Sequence, residues 1–280
     1  MQPSISNSIT KAIIPVAGYG TRRLPITKAI EKCMLPIGNR PIVDYIVEDC
    51  IKAGITEFFF VISGENTQIE AYYASNPTLK SYLQQAGKSD LAWYADAPEG
   101  VKINFVRQEV SGGKYGTAVP VGLVAPMMAP GESAVVLMGD DFIYNRDGSS
   151  EVGRLLAATP AGGNAMLGVD VPRDQLSRYG VIELDGDSNF VRIVEKPAPE
   201  QAPSTLINVS KYVLNYDLIQ AVAAYAQLEL SGEYHITEPI NQYILGGGSM
   251  QVVPAQGRYL DGGTMEGWLY ANNYVAGWVD

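Results

Sequence analysis

The run Ala17-Gly18-Tyr19-Gly20-Thr21-Arg22-Arg23-Leu24-Pro25 sets two glycines before two arginines, and Lys28 and Lys32 follow closely. Glycines let an anion approach backbone N–H groups, and side-chain cations add charge to those donors. The combination suits a nucleoside triphosphate; the plainer explanation is a solvated basic loop. Two familiar phosphate loops do not fit. A dinucleotide fingerprint needs a third glycine where Arg23 stands, and a P-loop would close on Gly-Lys-Ser/Thr, which this loop lacks.

Carboxylates supply the second kind of chemistry. Gly139-Asp140-Asp141 follows the apolar run Ser133–Met138. An aspartate at a strand's carboxyl end is placed to hold Mg²⁺ against phosphates, although a turn or helix cap uses the same residues. Tyr259-Leu260-Asp261-Gly262-Gly263-Thr264 repeats the pattern, so Asp140 and Asp261 could share one ion if the fold brings them together. Glu195-Lys196, before Pro197, offers a carboxylate for sugar hydroxyls and an ammonium for a phosphate; an exposed strand end is the alternative. His235, the one histidine, has no serine or cysteine partner at a recognisable spacing, and a structural role is expected. Cys33 and Cys50 have neither CxxC spacing nor histidine company, which excludes a zinc site and fits a reduced cytoplasmic setting. Cys33 follows Lys32, and an inert thiol is expected there.

These residues need a frame. Strand-like runs occur at 11–17, 57–62, 102–106 and 133–138, with helical spacing at 42–50, near 69–73 and over 117–125. Alternating strands and helices predict a mostly parallel sheet flanked by helices, whose ligands bind beyond the strands' carboxyl ends. Further on, a strand is expected over 164–170, a hairpin over 181–194 turning at Asp185–Ser188, and a strand over 206–214. Helices are expected near 216–229, 236–245 and 264–277, with 76–100 as a surface insertion. No linker or repeat divides the 280 residues, so one domain is expected. Trp268, Tyr270, Tyr274 and Trp278 fall at roughly helical spacing and are expected in the core.

A formal net charge of -10 argues against a general nucleic-acid binder, which needs a positive footprint. It also makes the cluster of cations near the start conspicuous. No apolar run is long enough to span a membrane, and the first residues show no secretory pattern.

The motif Gly18-Tyr19-Gly20-Thr21-Arg22, then Leu24-Pro25-x-Thr27-Lys28-Ala29-Ile30-x-Lys32-x-Met34-Leu35-Pro36, resembles the sugar-1-phosphate nucleotidyltransferases. Within them it is most similar to the bacterial UTP–glucose-1-phosphate uridylyltransferase branch. The resemblance implies a Rossmann-like mixed sheet, with 1–160 mainly a nucleotide half and 161–280 mainly a sugar-phosphate half. It implies that Ala17, Gly18, Gly20, Thr21 and Arg22 meet the nucleotide, that Arg22 and Lys32 contact the triphosphate, and that Gln108 and Gly113 read the pyrimidine edge. It further implies Tyr179, Gly180, Glu195 and Lys196 for the sugar phosphate, Asp140 and Asp261 for Mg²⁺, and a homodimer or homotetramer. The expected substrates are UTP and glucose 1-phosphate. The same chemistry with dTTP or another sugar 1-phosphate, or a non-catalytic sugar-nucleotide binder, are the alternatives. Five departures bear on substrate choice; two of them are Cys33, where glutamate is common, and Tyr259-Leu260-Asp261-Gly262-Gly263-Thr264, which leans toward the thymidylyl relatives. The run Ser111–Ala118 carries one residue more than the family's usual glycine run, which leaves Gly113 open by one position. Glu31 stands where proline is common, and the uridylyl enzymes carry a glycine near Ser210.

Overall fold

The computed structural model describes residues 9–64, 67–109 and 113–279. β1 (Lys11–Pro15) leads through three 3-10 turns to the small hairpin of β2 (Pro36–Ile37) and β3 (Arg40–Pro41), and α1 (Ile42–Lys52) follows at once. Then come β4 (Glu57–Ser63), α2 (Gln68–Tyr73), α3 (Pro77–Gln85), β5 (Lys102–Gln108), α4 (Ala118–Val124) and β6 (Ser133–Leu137). The remainder runs β7 (Asp141–Tyr144), α5 (Glu151–Ala158), β8 (Ala165–Asp170), β9 (Gly180–Leu184), β10 (Phe190–Glu195) and β11 (Leu206–Asn215). It ends with α6 (Tyr216–Gln227), α7 (Thr237–Leu245), β12 (Gln251–Pro254), β13 (Arg258–Asp261) and α8 (Met265–Val275).

The sheet is parallel across β5-β4-β1-β6, with Ile13 opposite both Phe59 and Val136. Beyond β6 it changes sense. β11 runs antiparallel to β6 on one edge and to β8 on the other, and β9 and β10 extend the sheet from β11. Side chains alternate across each strand, so both faces need cover. Ile14, Phe58, Phe60 and Ile62 pack on the face of α1, while Ile13, Phe59 and Val61 pack on the face of α4 and α6. That explains why the central strands are apolar at almost every position. The insertion at 76–100 forms α3 and a 3-10 stretch at Ser89–Ala95, leaving Trp93 and Tyr94 stacked and exposed.

One expectation fails at the carboxyl end. Trp268 and Tyr274 pack against the core, but Tyr270 is exposed and Trp278 is 79% exposed. The reason is geometric: α8 buries Ala271 against the sheet, and Trp278 lies beyond the helix end. No helix among the described residues is long and apolar enough to cross a membrane.

Because β1, β4, β5 and β6 are parallel, their carboxyl ends share one edge. The glycine loop leaves β1 there, Gln108 closes β5 there, and Gly139-Asp140 follows β6 there.

Candidate active site

The glycine loop folds back on its own downstream segment. Gly20 has φ +63 and leads into a 3-10 turn, Thr21–Arg23, while Thr27 Oγ1 donates to Gly20 O at 2.9 Å. A Cβ at Gly20 would stand 3.0 Å from Lys32 Cβ and 3.0 Å from Thr27 Cγ2, so the loop presses onto Lys32. Ala17 is buried beneath it, and the space around Gly18 is open. The four cations of this stretch separate. Arg22 is exposed at the edge, whereas Arg23 is only 4% exposed and lies over Trp268 at 5.1 Å with Nη1 on Met265 Sδ at 3.7 Å. Lys28 is exposed and forms no ion pair with a described residue. Arg22 and Lys32 are therefore the pair that faces the acids.

Those acids come from two strand ends. β7 and β13 form an antiparallel ribbon that sets Asp261 opposite Asp141, and Gly262 N donates to Asp140 O at 3.1 Å. A methyl built on Gly263 would lie 2.7 Å from Asp261 Oδ1, 3.3 Å from Lys32 Nζ and 3.5 Å from Arg22 Nη2. Lys32 Nζ also donates to Asp140 Oδ2. Asp140, Asp261, Arg22 and Lys32 thus converge on one small space. Burial pushes the Asp140 carboxyl up, but Lys32, Lys211 and Arg22 outweigh it and hold that carboxyl below its usual value. Among the described residues no group of three or more His, Cys, Asp or Glu side chains is set to hold an ion. Two carboxylates without sulfur or imidazole still fit Mg²⁺, which takes one or two protein carboxylates and completes its shell from phosphate oxygens and water.

The residues expected to meet the sugar phosphate lie where β9 and β10 pair. Glu195 stands opposite Gly180, and a Cβ on Gly180 would be 3.2 Å from Glu195 Oε1 and 2.8 Å from Ile193 Cγ2, so a side chain there would have to displace Ile193 and crowd Glu195. Lys196 has φ +44, its N–H donates to Tyr179 O at 3.0 Å, and its side chain is exposed. Tyr179 links this hairpin to the acids. Burial raises its hydroxyl, Asp261 and Asp141 raise it further, and Arg178 and Arg22 oppose them. A cleft of about 800 Å³ opens beside Tyr179 and Asp261, walled by Arg178, Arg258 and Thr264. No contact joins the Lys196 ammonium to Asp140.

Of the residues expected to read the base, Gln108 ends β5 at 7% exposed, and its amide has no partner within the described residues. Gly113 follows, close to Glu109 O; Ser111 and Gly112 of the glycine run lie outside the described residues. Gly116 has φ +118, and a Cβ there would be 2.5 Å from Tyr234 N and O, so this loop and the 234–237 strap touch backbone to backbone. Tyr234 N donates to Tyr115 O at 2.9 Å, and Ile236 N donates to Thr117 Oγ1 at 2.9 Å. At the strap's end the buried Thr237 hydroxyl donates to Glu195 Oε1 at 2.7 Å.

Sequence reasoning missed Thr237, Asp141, Lys211 and Tyr259. Lys211 donates to Asp141 Oδ1, and the Tyr259 hydroxyl donates to Asp141 Oδ2 at 2.9 Å. The signal was available: a lysine inside the apolar strand 206–214 needs a buried counter-ion. His235 and the cysteines behave as expected. His235 Nε2 lies 3.8 Å from Glu233, and burial pushes the Cys33 and Cys50 thiols far up, which leaves them inert.

With this geometry in view, the family model for nucleotidyl transferases matches residues 11–277. The chain belongs to that family. This nucleotidyl transferase is 34% identical over 251 residues to the UTP–glucose-1-phosphate uridylyltransferase of Streptococcus pneumoniae serotype 4, covering 85% of this chain and 80% of that protein. It is 32% identical to the enzyme of that name from Mycoplasma pneumoniae, covering 96% of this chain and 92% of the other. In structure it is similar to a UTP-bound UGPase from Acinetobacter baumannii, with TM-score 0.85, 28% identity and coverage of 95% and 93%. A UDP-glucose pyrophosphorylase complexed with UDP-glucose superposes with TM-score 0.80 at 25% identity, covering 96% of this chain and 99% of that one.

Proposed function

We propose that this nucleotidyl transferase moves a uridylyl group from UTP to glucose 1-phosphate, giving UDP-glucose and pyrophosphate. The observation that carries the reading is the convergence of Arg22, Lys32, Asp140 and Asp261 around Gly263 at the carboxyl edge of the sheet. Its support includes relatives named for that reaction and neighbours holding UTP or UDP-glucose.

A sugar phosphate is already anionic at neutral pH, so no side chain has to remove a proton. Its oxygen attacks the α-phosphorus, the α–β phosphoanhydride bond breaks, and pyrophosphate leaves with that electron pair. What the protein must supply is alignment and relief of repulsion between two polyanions. Arg22 and Lys32 take the charge of the departing pyrophosphate, and Lys32 exchanges Asp140 for phosphate oxygens when it does so. Gln108, buried and with its amide unpartnered among the described residues, reads the pyrimidine together with Gly113. Glu195 accepts sugar hydroxyls against the bare wall of Gly180, while Lys196 and Tyr179 hold the sugar phosphate. Asp140 and Asp261 would hold Mg²⁺, which when bound screens negative charge on the phosphates. Buried free thiols at Cys33 and Cys50 support a cytoplasmic setting.

The test is pyrophosphate release with UTP and dTTP against glucose 1-phosphate and other sugar 1-phosphates, with and without Mg²⁺. Turnover is expected with UTP and glucose 1-phosphate and to need Mg²⁺. Preference for dTTP would move the assignment to thymidylyl transfer, and no turnover with any pair would leave a sugar-nucleotide binder.

A further inference from the structure

Asp141 sits between the two carboxylates assigned above to the ion, next to Asp140 in sequence and opposite Asp261 in the ribbon. Asp141 would join them as a ligand only if its carboxylate turned to the same space, since no three described acids are set to hold an ion as the structure stands. Asp141 differs from its neighbours because both of its oxygens are already engaged: Lys211 holds Oδ1 and the Tyr259 hydroxyl holds Oδ2. Lys211 is 2% exposed and comes from β11, in the main sheet, so its ammonium is held away from solvent, and Asp141 is the carboxylate it pairs with among the described residues. Arg22, in contrast, is exposed at the open edge, and Asp140, the partner of Lys32, keeps 30% of its side chain exposed.

We propose that Lys211 is a positioning residue that withholds Asp141 from the metal, so that the divalent cation meets Asp140 and Asp261 only. The proposal rests on the reading that these two aspartates hold the ion. Its physical basis is a division between fixed and movable counter-ions. Three cations face three carboxylates, two cations are withdrawn by substrate, and the third is locked to the carboxylate that must stay out. The buried pair also fastens β7 and β13 to β11, which keeps Asp140 and Asp261 in register.

The experiment is Mn²⁺ titration of the full chain without nucleotide, read by the loss of the free-ion EPR signal. Lys211→Met frees a third carboxylate, and ligand charge count sets cation affinity, so Mn²⁺ should bind about tenfold more tightly or better. The charge-neutral double variant Lys211→Met/Asp141→Asn should bind within about threefold of wild type, because Asp141 is not a ligand. A loss of about tenfold or more in the double variant would make Asp141 a ligand and overturn the proposal. Weaker binding in Lys211→Met, together with a melting temperature that Mn²⁺ does not raise, would overturn it too, since Lys211 would then act on the fold alone. If Lys211→Met does not fold, the double variant decides. Asp140→Asn serves as the separate control: unchanged Mn²⁺ binding there would sink the metal assignment itself, whatever Lys211 does.

Discussion

Replacing Thr237 with valine removes one hydroxyl and leaves the side-chain volume almost unchanged. Thr237 is 3% exposed and donates to Glu195 Oε1 at 2.7 Å, a charge-assisted bond. Such bonds contribute about 1.5–3 kcal/mol when one partner is ionised. Glu195 is half-buried, so water will take over part of the lost contact, and the lower end of that range applies. About 1.4 kcal/mol corresponds to roughly a tenfold loss. The loss should fall on glucose 1-phosphate, because Glu195 stands across from Gly180 on the sugar side of the cleft. Steady-state kinetics with each substrate varied at saturation of the other will separate the effects. The expected result for Thr237→Val is a KM for glucose 1-phosphate raised about tenfold, with the KM for UTP little changed. Thr237→Ser, which keeps the hydroxyl, should restore it. Equal losses for both substrates, or no change for glucose 1-phosphate, would refute the assignment, provided the melting temperature shows an intact fold.

Asp140→Asn should keep the fold and lower turnover by about 100- to 1000-fold, as losing one preorganised electrostatic contact does; near-normal Mg²⁺-dependent pyrophosphate release would contradict the role given to Asp140. Lys196→Ala should weaken use of the sugar phosphate while leaving UTP affinity in place, and a change confined to UTP would reverse the two halves of the cleft. The pH dependence of stability carries a sign that can be checked at Asp141. Burial pushes its carboxyl up to about 6, with Asp140 and Asp261 adding to the rise and Lys211 opposing it. A group raised above its unfolded value of about 3.9 contributes stability that is full below that value and lost as pH rises through the folded one. The melting-temperature advantage of wild type over Lys211→Met/Asp141→Asn should therefore shrink between about pH 4.5 and pH 7. A flat difference would refute the argument.

Much of the parallel half was legible in the sequence because its strands are buried on both faces. Runs such as Phe58-Phe59-Phe60-Val61-Ile62 read as strands covered on both faces, and glycine turns bound them. The short strands at the site were harder. β7 and β13 have four residues each, pair across more than a hundred positions, and their pairing alone sets Asp261 opposite Asp141. Nothing local announces that meeting. The four early cations show the opposite difficulty: proximity in sequence exaggerated what they share. Thr21–Arg23 is a 3-10 turn, where successive side chains point about 120° apart, so Arg22 and Arg23 cannot face one ligand. Arg22 keeps the open edge, and Arg23 goes under Trp268.

Ser210, where the sequence departs from the family pattern, has a backbone role in this fold. The glycine expected near this position reads from sequence as a possible sugar contact. In the fold, Ser210 sits at the irregularity of β11 between Asn208 and Tyr212, where pairing with β8 shifts register, and its φ is +52. That backbone region is easy for glycine and costs other residues about 1 kcal/mol or more. A glycine would take this conformation without that cost. Serine keeps the conformation here because its N–H donates to Asn208 Oδ1 at 3.0 Å, and Asn208 Nδ2 donates to the Tyr212 hydroxyl at 2.6 Å. The bend has a consequence for the site. It lets one strand pair with β6 from Lys211 onward and with β9 at Ile207, and it delivers Lys211 inward to Asp141. Straightening β11 at Ser210 would shift the alternation of its side chains, and the ammonium that balances the third carboxylate would point to the other face.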